Sequence, residues 1–471
     1  MTPHCKPLPR YCAILLCLVS LCTAACTPRL ISPELPVPLA KQFSASGEQD
    51  APERWWLAFD DPQLHRLVDS ALADNLDLQA TWDRLAQSMA RARSSAAGLW
   101  PQLDMEASGN HTRSETPGAT SFSNSFSLGA IASYELDLWG RVRAGRSAAH
   151  LTQLSSREDL DTAAITLTAE VTSAWFELTT SHGQQQILAE QQSTAAKTLE
   201  LIALQFRTGK VAFADLLQQR QLLESLSGEQ AQAAARVALA EHRLAVLTGQ
   251  PPQTIQLPVP QQLPALPPLP ATGLPADLLE RRPDIRSAWY RVLSERAQLK
   301  VARADRLPRI SLSGRIESSS DTLDTLFDNW FANLAGNLLT PLLDGGQRRA
   351  EVTRSEAALA EQLHSYGQQV LVALQEIEDA LVHEQQQQQY LQSLQRQLEL
   401  SRQALKQVHT RYTRGNLSFE RVLEAQRSVQ QLQRSELEAR NQLLGYRIEL
   451  YRALGGAWPL QRTTTSAVMN E

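Results

Sequence analysis

The spacing of apolar and polar positions changes period several times along this chain, and the same changes come twice. Over residues 140–209, bounded by Gly140 and Gly209, there is no proline, and Gly145 and Gly183 are the only interior glycines. Helical throughout, this stretch would reach ~100 Å at ~1.5 Å per residue, far beyond the about 10–14 residues of an average globular helix. A matching stretch covers residues 346–415. Gly209 marks a turn into a further helix reaching about Leu247, where Leu216, Leu217, Leu223 and Leu226 stand at helical spacing with Gln and Arg between them. Such a stripe is a seam between neighbouring helices. Rods of this length need that packing, because propensity alone does not support them. Residues 385–389, all glutamine, read as a solvated face.

Residues 55–74 and 76–99 predict two helices, which Pro101 ends. Period 2 then begins, with Leu103, Met105 and Ala107 alternating with Asp104, Glu106 and Ser108. Residues 109–124, polar with Gly and Pro, read as a loop. A second alternation sets Phe126, Leu128, Ala130, Ala132, Tyr134 and Leu136 against Ser127, Gly129, Ser133 and Glu135, with Ile131 out of pattern. After nine prolines in residues 251–275, an extended linker, the programme restarts. Trp82 answers to Trp289, Arg84 to Arg291 and Pro101 to Pro308 at a separation of 207, and Gly209, Val211 and Phe213 to Gly415, Leu417 and Phe419 at 206. Two further strands follow, with Ile310, Leu312, Gly314 and Ile316 in one and Ala332, Leu334, Gly336 and Leu338 in the other. The chain is a tandem duplication of a helix–hairpin–long-helix unit, mainly α with a small β part.

Strands of about ten residues cross a bilayer when tilted. Four cannot close, and an open edge in hydrocarbon leaves backbone groups unpaired at several kcal/mol each. Either the strands lie outside the membrane as hairpins, or several copies pool them. Trp100 and Trp139 flank the first hairpin on its helix side, as an interfacial aromatic belt would; the alternative is two core tryptophans at a helix–strand junction.

All five cysteines lie within the first 26 of 471 residues, so the rest of the chain has no disulfide and no thiolate site. Lys6 and Arg10 precede an apolar run ending at Thr23-Ala24-Ala25-Cys26, which reads as a signal peptide over residues 1–25. Its end resembles a bacterial lipoprotein processing site, with Thr23 where leucine is usual and Cys26 as the expected acylated residue. The alternative is an ordinary cleaved signal with an incidental cysteine. Thr27 is not aspartate, which points to the outer membrane. Removing residues 1–25, with their two cations and no acid, takes the formal charge from −5 to −7, so nothing indicates nucleic acid. The mature parts are a lead-in over 26–54, repeats over 55–250 and 276–457 separated by the linker, and a tail over 458–471.

Residues 134–141 (Tyr-Glu-Leu-Asp-Leu-Trp-Gly-Arg), 341–346 (Pro-Leu-Leu-Asp-Gly-Gly) and 411–415 (Arg-Tyr-Thr-Arg-Gly), with 423–427 and 454–456, resemble the TolC-like outer-membrane efflux family in its lipoprotein (NodT/OprM-like) branch. The resemblance implies a homotrimer forming a 12-stranded β-barrel on a long α-helical periplasmic barrel. It implies tip turns at Gly209 and Gly415, with a periplasmic gate beside them. On that pattern an acidic latch residue falls on Asp215, its tyrosine partner on Tyr412 and a pore-narrowing acid on Glu424. Where some members have a pore aspartate this chain has Arg421, and a latch arginine is replaced by Leu417. Arg421 and the adjacent Glu420 also read as solvated tip charges.

No phosphate loop or nucleophile elbow is present, and His383-Glu384 lacks the second histidine of a zinc protease motif. The expectation is therefore no enzyme and no cofactor. It is an exit duct passing drugs or small toxic compounds from a periplasmic adaptor and an inner-membrane proton-driven pump of the RND type. The alternatives are a duct for secreted polypeptides and a non-spanning periplasmic scaffold lipoprotein. Only Met89 and Met105 stand in the folded body, which argues against a dedicated copper or silver duct.

Overall fold

The computed structural model describes residues 37–50, 52–255, 257–258, 262–456 and 460. The signal peptide, Cys26 and most of the tail lie outside the described residues. Helix α1 (Pro62–Asp74) and α2 (Leu76–Ala97) lead to strands β1 (Gln102–Thr116) and β2 (Ala119–Leu136), then to α3 (Arg141–Arg207) and α4 (Phe213–Leu247). The second half gives α5 (Pro283–Ala304), β3 (Arg309–Ser320), β4 (Trp330–Leu339), α6 (Gln347–Thr413) and α7 (Phe419–Leu454). The duplication is visible in the lengths: α3 and α6 both have 67 residues, and α2 and α5 both have 22. No helix among the described residues is long and apolar enough to cross a membrane.

Several expectations change. Residues 55–74 are not one helix. Residues Trp55–Phe59 form a 3-10 turn, and Asp60 takes a left-handed φ of 50°. Asp61 then caps α1 by accepting from the Gln63 and Leu64 amides, with Pro62 in the first helical position where its missing N–H costs nothing. The supposed loop at 109–124 is strand except for the two-residue turn at Pro117-Gly118. The β1–β2 ladder runs without interruption from Gln102↔Ser133 to Thr116↔Ala119. Polar side chains do not prevent pairing, since the ladder bonds are made by the backbone.

The linker is extended but not free. Gln49–Asp50 pairs in parallel with Pro270–Ala271. Arg447, buried on α7, donates to the carbonyls of Pro267 and Pro268 and pairs with buried Glu384 of α6 at 2.6 Å. Gln387, expected on a solvated face, is also buried and donates to the Ala439 carbonyl.

Apolar clusters hold the helices, among them a small one of Leu299, Ala302 and Val352 between α5 and α6 and two larger ones. One gathers Trp55, Phe59, Trp175, Phe176, Leu244 and Tyr451, with Trp55 stacked on Tyr451 and the Trp175 indole donating to Asp61 at 2.7 Å. The other joins α3, α4 and α7 through Ile202, Leu216, Leu226, Phe419 and Val422. In the expected seam Leu216 and Leu226 are buried, whereas Leu217 faces out.

Candidate functional site

The four strands form one antiparallel sheet in the order β1-β2-β3-β4. Register fixes which side chains share a face, because alternate residues point to opposite sides. One face stacks the rows Met105–Ala130–Ile316–Ala332 and Leu103–Ala132–Gly314–Leu334, then continues through Leu312, Ile310 and Leu338. This face holds no charge between the level of Phe126 and that of Leu136. Those ten residues rise about 33 Å along the strand at ~3.3 Å each, or about 25 Å along the normal for a tilt of ~40°, the height of a lipid-facing barrel band. Phe126 and Trp330 stand at one edge of the band, while Tyr134 lies towards the other. Trp100 and Trp139 follow on the helix side, 74% and 51% exposed in the single chain.

The opposite face is mainly polar, with Ile131, Phe331 and Leu339 as its large apolar residues. It carries Asp104, Glu106, Arg315, Asn333 and Glu317, with Arg315 reaching Glu106 at 3.5 Å and Glu317 still closer. The bridge from β1 to β3 passes over β2 at Gly129, where any side chain would meet the Ile316 carbonyl at 2.9 Å and Glu317.

At the helix end of the sheet, two aspartates start the two long helices. Asp137 accepts from the amides of Val142 and Arg143 (3.0 and 2.9 Å), and Asp344 from those of Gly346 and Arg348 (3.0 and 3.3 Å). A carboxylate here satisfies orphan amides and faces the positive helix end. Burial pushes Asp137 up, but the Arg143 and Val142 amides and the Arg143 guanidinium outweigh it and hold the carboxyl below its ordinary value. Arg141 forks onto Glu135 (2.7 and 3.0 Å), and the Trp139 indole donates to the Pro308 carbonyl at 2.7 Å, tying the two repeats together. The residues 134–141 and 341–346 therefore clamp strand to helix.

At the far end both tip turns are Schellman closures. Lys210 bonds back to the Gln205 carbonyl and Gly209 to Phe206, and Asn416 and Gly415 repeat this on Arg411 and Tyr412. Gly209 and Gly415 take φ of 72° and 75°, where an L side chain would be strained. Phe206 packs on Phe213 (5.5 Å) and Tyr412 on Phe419 (5.6 Å), the same pair in each repeat.

The structure brings the expected latch residues near one another but does not join them. Asp215 accepts from the Ala212 amide at 3.2 Å and so caps its own helix, whereas the Tyr412 hydroxyl donates to Gln205 at 3.2 Å. Burial raises the Tyr412 phenol first, and the nearby Asp215 carboxylate adds to this. Arg421 pairs with Glu424 at 2.9 Å within one exposed helical turn, and Glu420 is exposed beside them.

The alternation already sets Asp104 and Glu106, and Arg315 and Glu317, on the polar side of their strands, but their alignment into one row exists only once the β1–β2–β3 register is known. Gly129 inside a strand is a further mark of close approach. His383 and Glu384 have structural roles: the imidazole stacks on Tyr446 at 4.8 Å, and the carboxylate pairs with Arg447.

The family described as Outer membrane efflux protein matches residues 67–250 and 274–456. The pyoverdine export outer membrane protein OpmQ of Pseudomonas aeruginosa is 31% identical over 95% of this chain and 98% of its own length. The cation efflux system protein CusC of Escherichia coli is 28% identical over 95% and 99%. Among solved structures, the outer-membrane channel OprN superposes with a TM-score of 0.84 at 30% identity, covering 90% of this chain and 98% of OprN.

Proposed function

The chain belongs to the outer membrane efflux protein family, and from that membership we propose that it is the outer-membrane exit duct of a tripartite efflux system, working as a homotrimer. The sheet carries this reading. One face is an apolar band of bilayer height, the other is polar and charged, and the outer edges of β1 and β4 have no strand partner among the described residues. In hydrocarbon such edges cost several kcal/mol per unpaired group. Twelve strands from three chains remove them and turn the polar face to a water-filled lumen. A non-spanning scaffold would leave the band in water.

On this reading α3, α4, α6 and α7 of each chain wall a periplasmic tunnel, and Cys26 carries acyl chains in the outer membrane. Gly209 and Gly415 form the tips, where a periplasmic adaptor docks. Asp215, Tyr412, Glu420, Arg421 and Glu424 surround the aperture, and a proton-driven inner-membrane pump of the RND type delivers drugs or other small toxic compounds. OpmQ is named for pyoverdine export and CusC for cation efflux. One frame serving such different cargo supports a passive duct with selection made mainly at the pump. The test is insertion of purified mature protein into a planar lipid bilayer: stepwise conductance is expected, and its complete absence would remove the duct reading.

A further inference from the structure

The polar face of the sheet has a charge pattern that the duct reading does not use. Asp104 and Glu106 on β1 and Glu317 on β3 stand on that face within two adjacent rows, and Arg315 of β3 lies between Glu106 and Glu317. Three carboxylates against one guanidinium leave two negative charges per chain. The remaining charges of this face, Glu135 and Arg309, sit at the helix end and are paired with Arg141 and Asp305. Beyond the band, towards the hairpin tip, β1 continues on this face with Ser108, Asn110, Thr112 and Ser114. The excess is thus confined to one level in the outer half of the band, the half nearer Trp330.

We infer that this row, with Arg315 as its only cation, sets the charge selectivity of the outer end of the duct in favour of cationic permeants; this rests on the trimeric barrel proposed above. Three chains place six negative charges around one circumference. Twelve strands ~4.8 Å apart, tilted by ~40°, give a backbone cylinder about 24 Å across. Side chains reach several ångströms inward from that wall, so every point at this level lies within about one Debye length of a carboxylate at ~0.1 M salt. The ring is not screened away from the centre of the lumen. Arg315 moderates it: bound to both Glu106 and Glu317, it cancels one charge per chain. Gly129 lies in the row between Glu106 and Glu317, and any side chain there would press on the Ile316 carbonyl and on Glu317 itself.

The experiment is the reversal potential of bilayer-inserted channels in a tenfold KCl gradient at ~0.1 M, for the unmodified protein, Arg315→Gln, and Asp104→Asn with Glu106→Gln. A shift of about one kT in lumen potential changes the cation-to-anion permeability ratio about sevenfold. Arg315→Gln should raise the ratio several-fold and the double variant should lower it several-fold. The opposite signs guard against a general packing effect, and either variant alone decides the sign should the other fail to assemble. Conducting channels with an unchanged ratio in the variants would overturn the inference while leaving the duct intact. A lack of channels in the unmodified protein would instead remove the duct reading on which the inference rests.

Discussion

Placing a charge at position 334 or at its neighbour 333 separates the two faces of the sheet by a single residue. Leu334 is 84% exposed in the single chain and lies midway along β4 between Trp330 and Leu338, in the row with Gly314, Ala132 and Leu103. If that row faces hydrocarbon, position 334 is near the bilayer midplane, where Arg costs about 2–4 kcal/mol per chain. Three copies bring this to about 6–12 kcal/mol for the trimer, comparable with the whole stability of an ordinary domain. Asn333 sits at the same height but faces the polar side beside Arg315. Arg there should cost no more than an ordinary surface substitution, within about 0.5 kcal/mol, apart from like-charge repulsion. The assay is the fraction of outer-membrane material that resists dissociation in cold detergent, with its dissociation temperature. Leu334→Arg should abolish or sharply lower this fraction, and Asn333→Arg should leave most of it. Equal tolerance at both positions would refute the assignment of faces.

Other outcomes follow from the helical part. Arg447→Ala strands Glu384 without its partner and should cost about 3–5 kcal/mol, read by thermal unfolding. It should also expose residues 262–275 to limited proteolysis, since the Pro267 and Pro268 carbonyls lose their donor. Burial raises the Asp161 carboxyl, so its charge opposes folding above its folded-state pKa and that penalty fades as pH falls through that value. Asp161→Asn should therefore raise the melting temperature at pH 7 and flatten its dependence on pH just above the ordinary value of 3.8. Asp284 has the opposite sign. Burial pushes it up, but the Arg282 guanidinium and further hydrogen bonds hold it below 3.8, so its stabilisation is complete above that value and is lost on further acidification. Asp284→Asn should lower stability at neutral pH and remove that acid loss. At the tip, Asp215→Ala with Tyr412→Phe should raise bilayer conductance or the leak of large antibiotics. Gln205→Leu should reproduce part of the effect, because Gln205 holds the Tyr412 hydroxyl, and unchanged conductance would remove the gate assignment.

Much of the architecture could be read from the residues because it depends on local rules repeated twice. Gly209 and Gly415 mark the tips through their left-handed backbone, and the 206-residue separation carried the long helices from one half to the other. The failures share a cause. Residues 109–124 read as a loop because they are polar, yet a strand keeps its backbone ladder whatever its side chains meet. On composition Gln387 reads as solvent-facing and the proline-rich segment as a plain extended linker, although α7 and its Arg447 hold them from a distant part of the sequence. The pairing of Tyr412 with Gln205 and the bridge of Arg315 to Glu106 depend on register across elements 200 residues apart. No local pattern encodes either.

The most direct test of the shared cylinder is the native mass of the mature, acylated protein released from detergent. Three chains in one particle that stays intact without cross-linking are expected. A monodisperse single chain, stable and soluble once the detergent is removed, would contradict it.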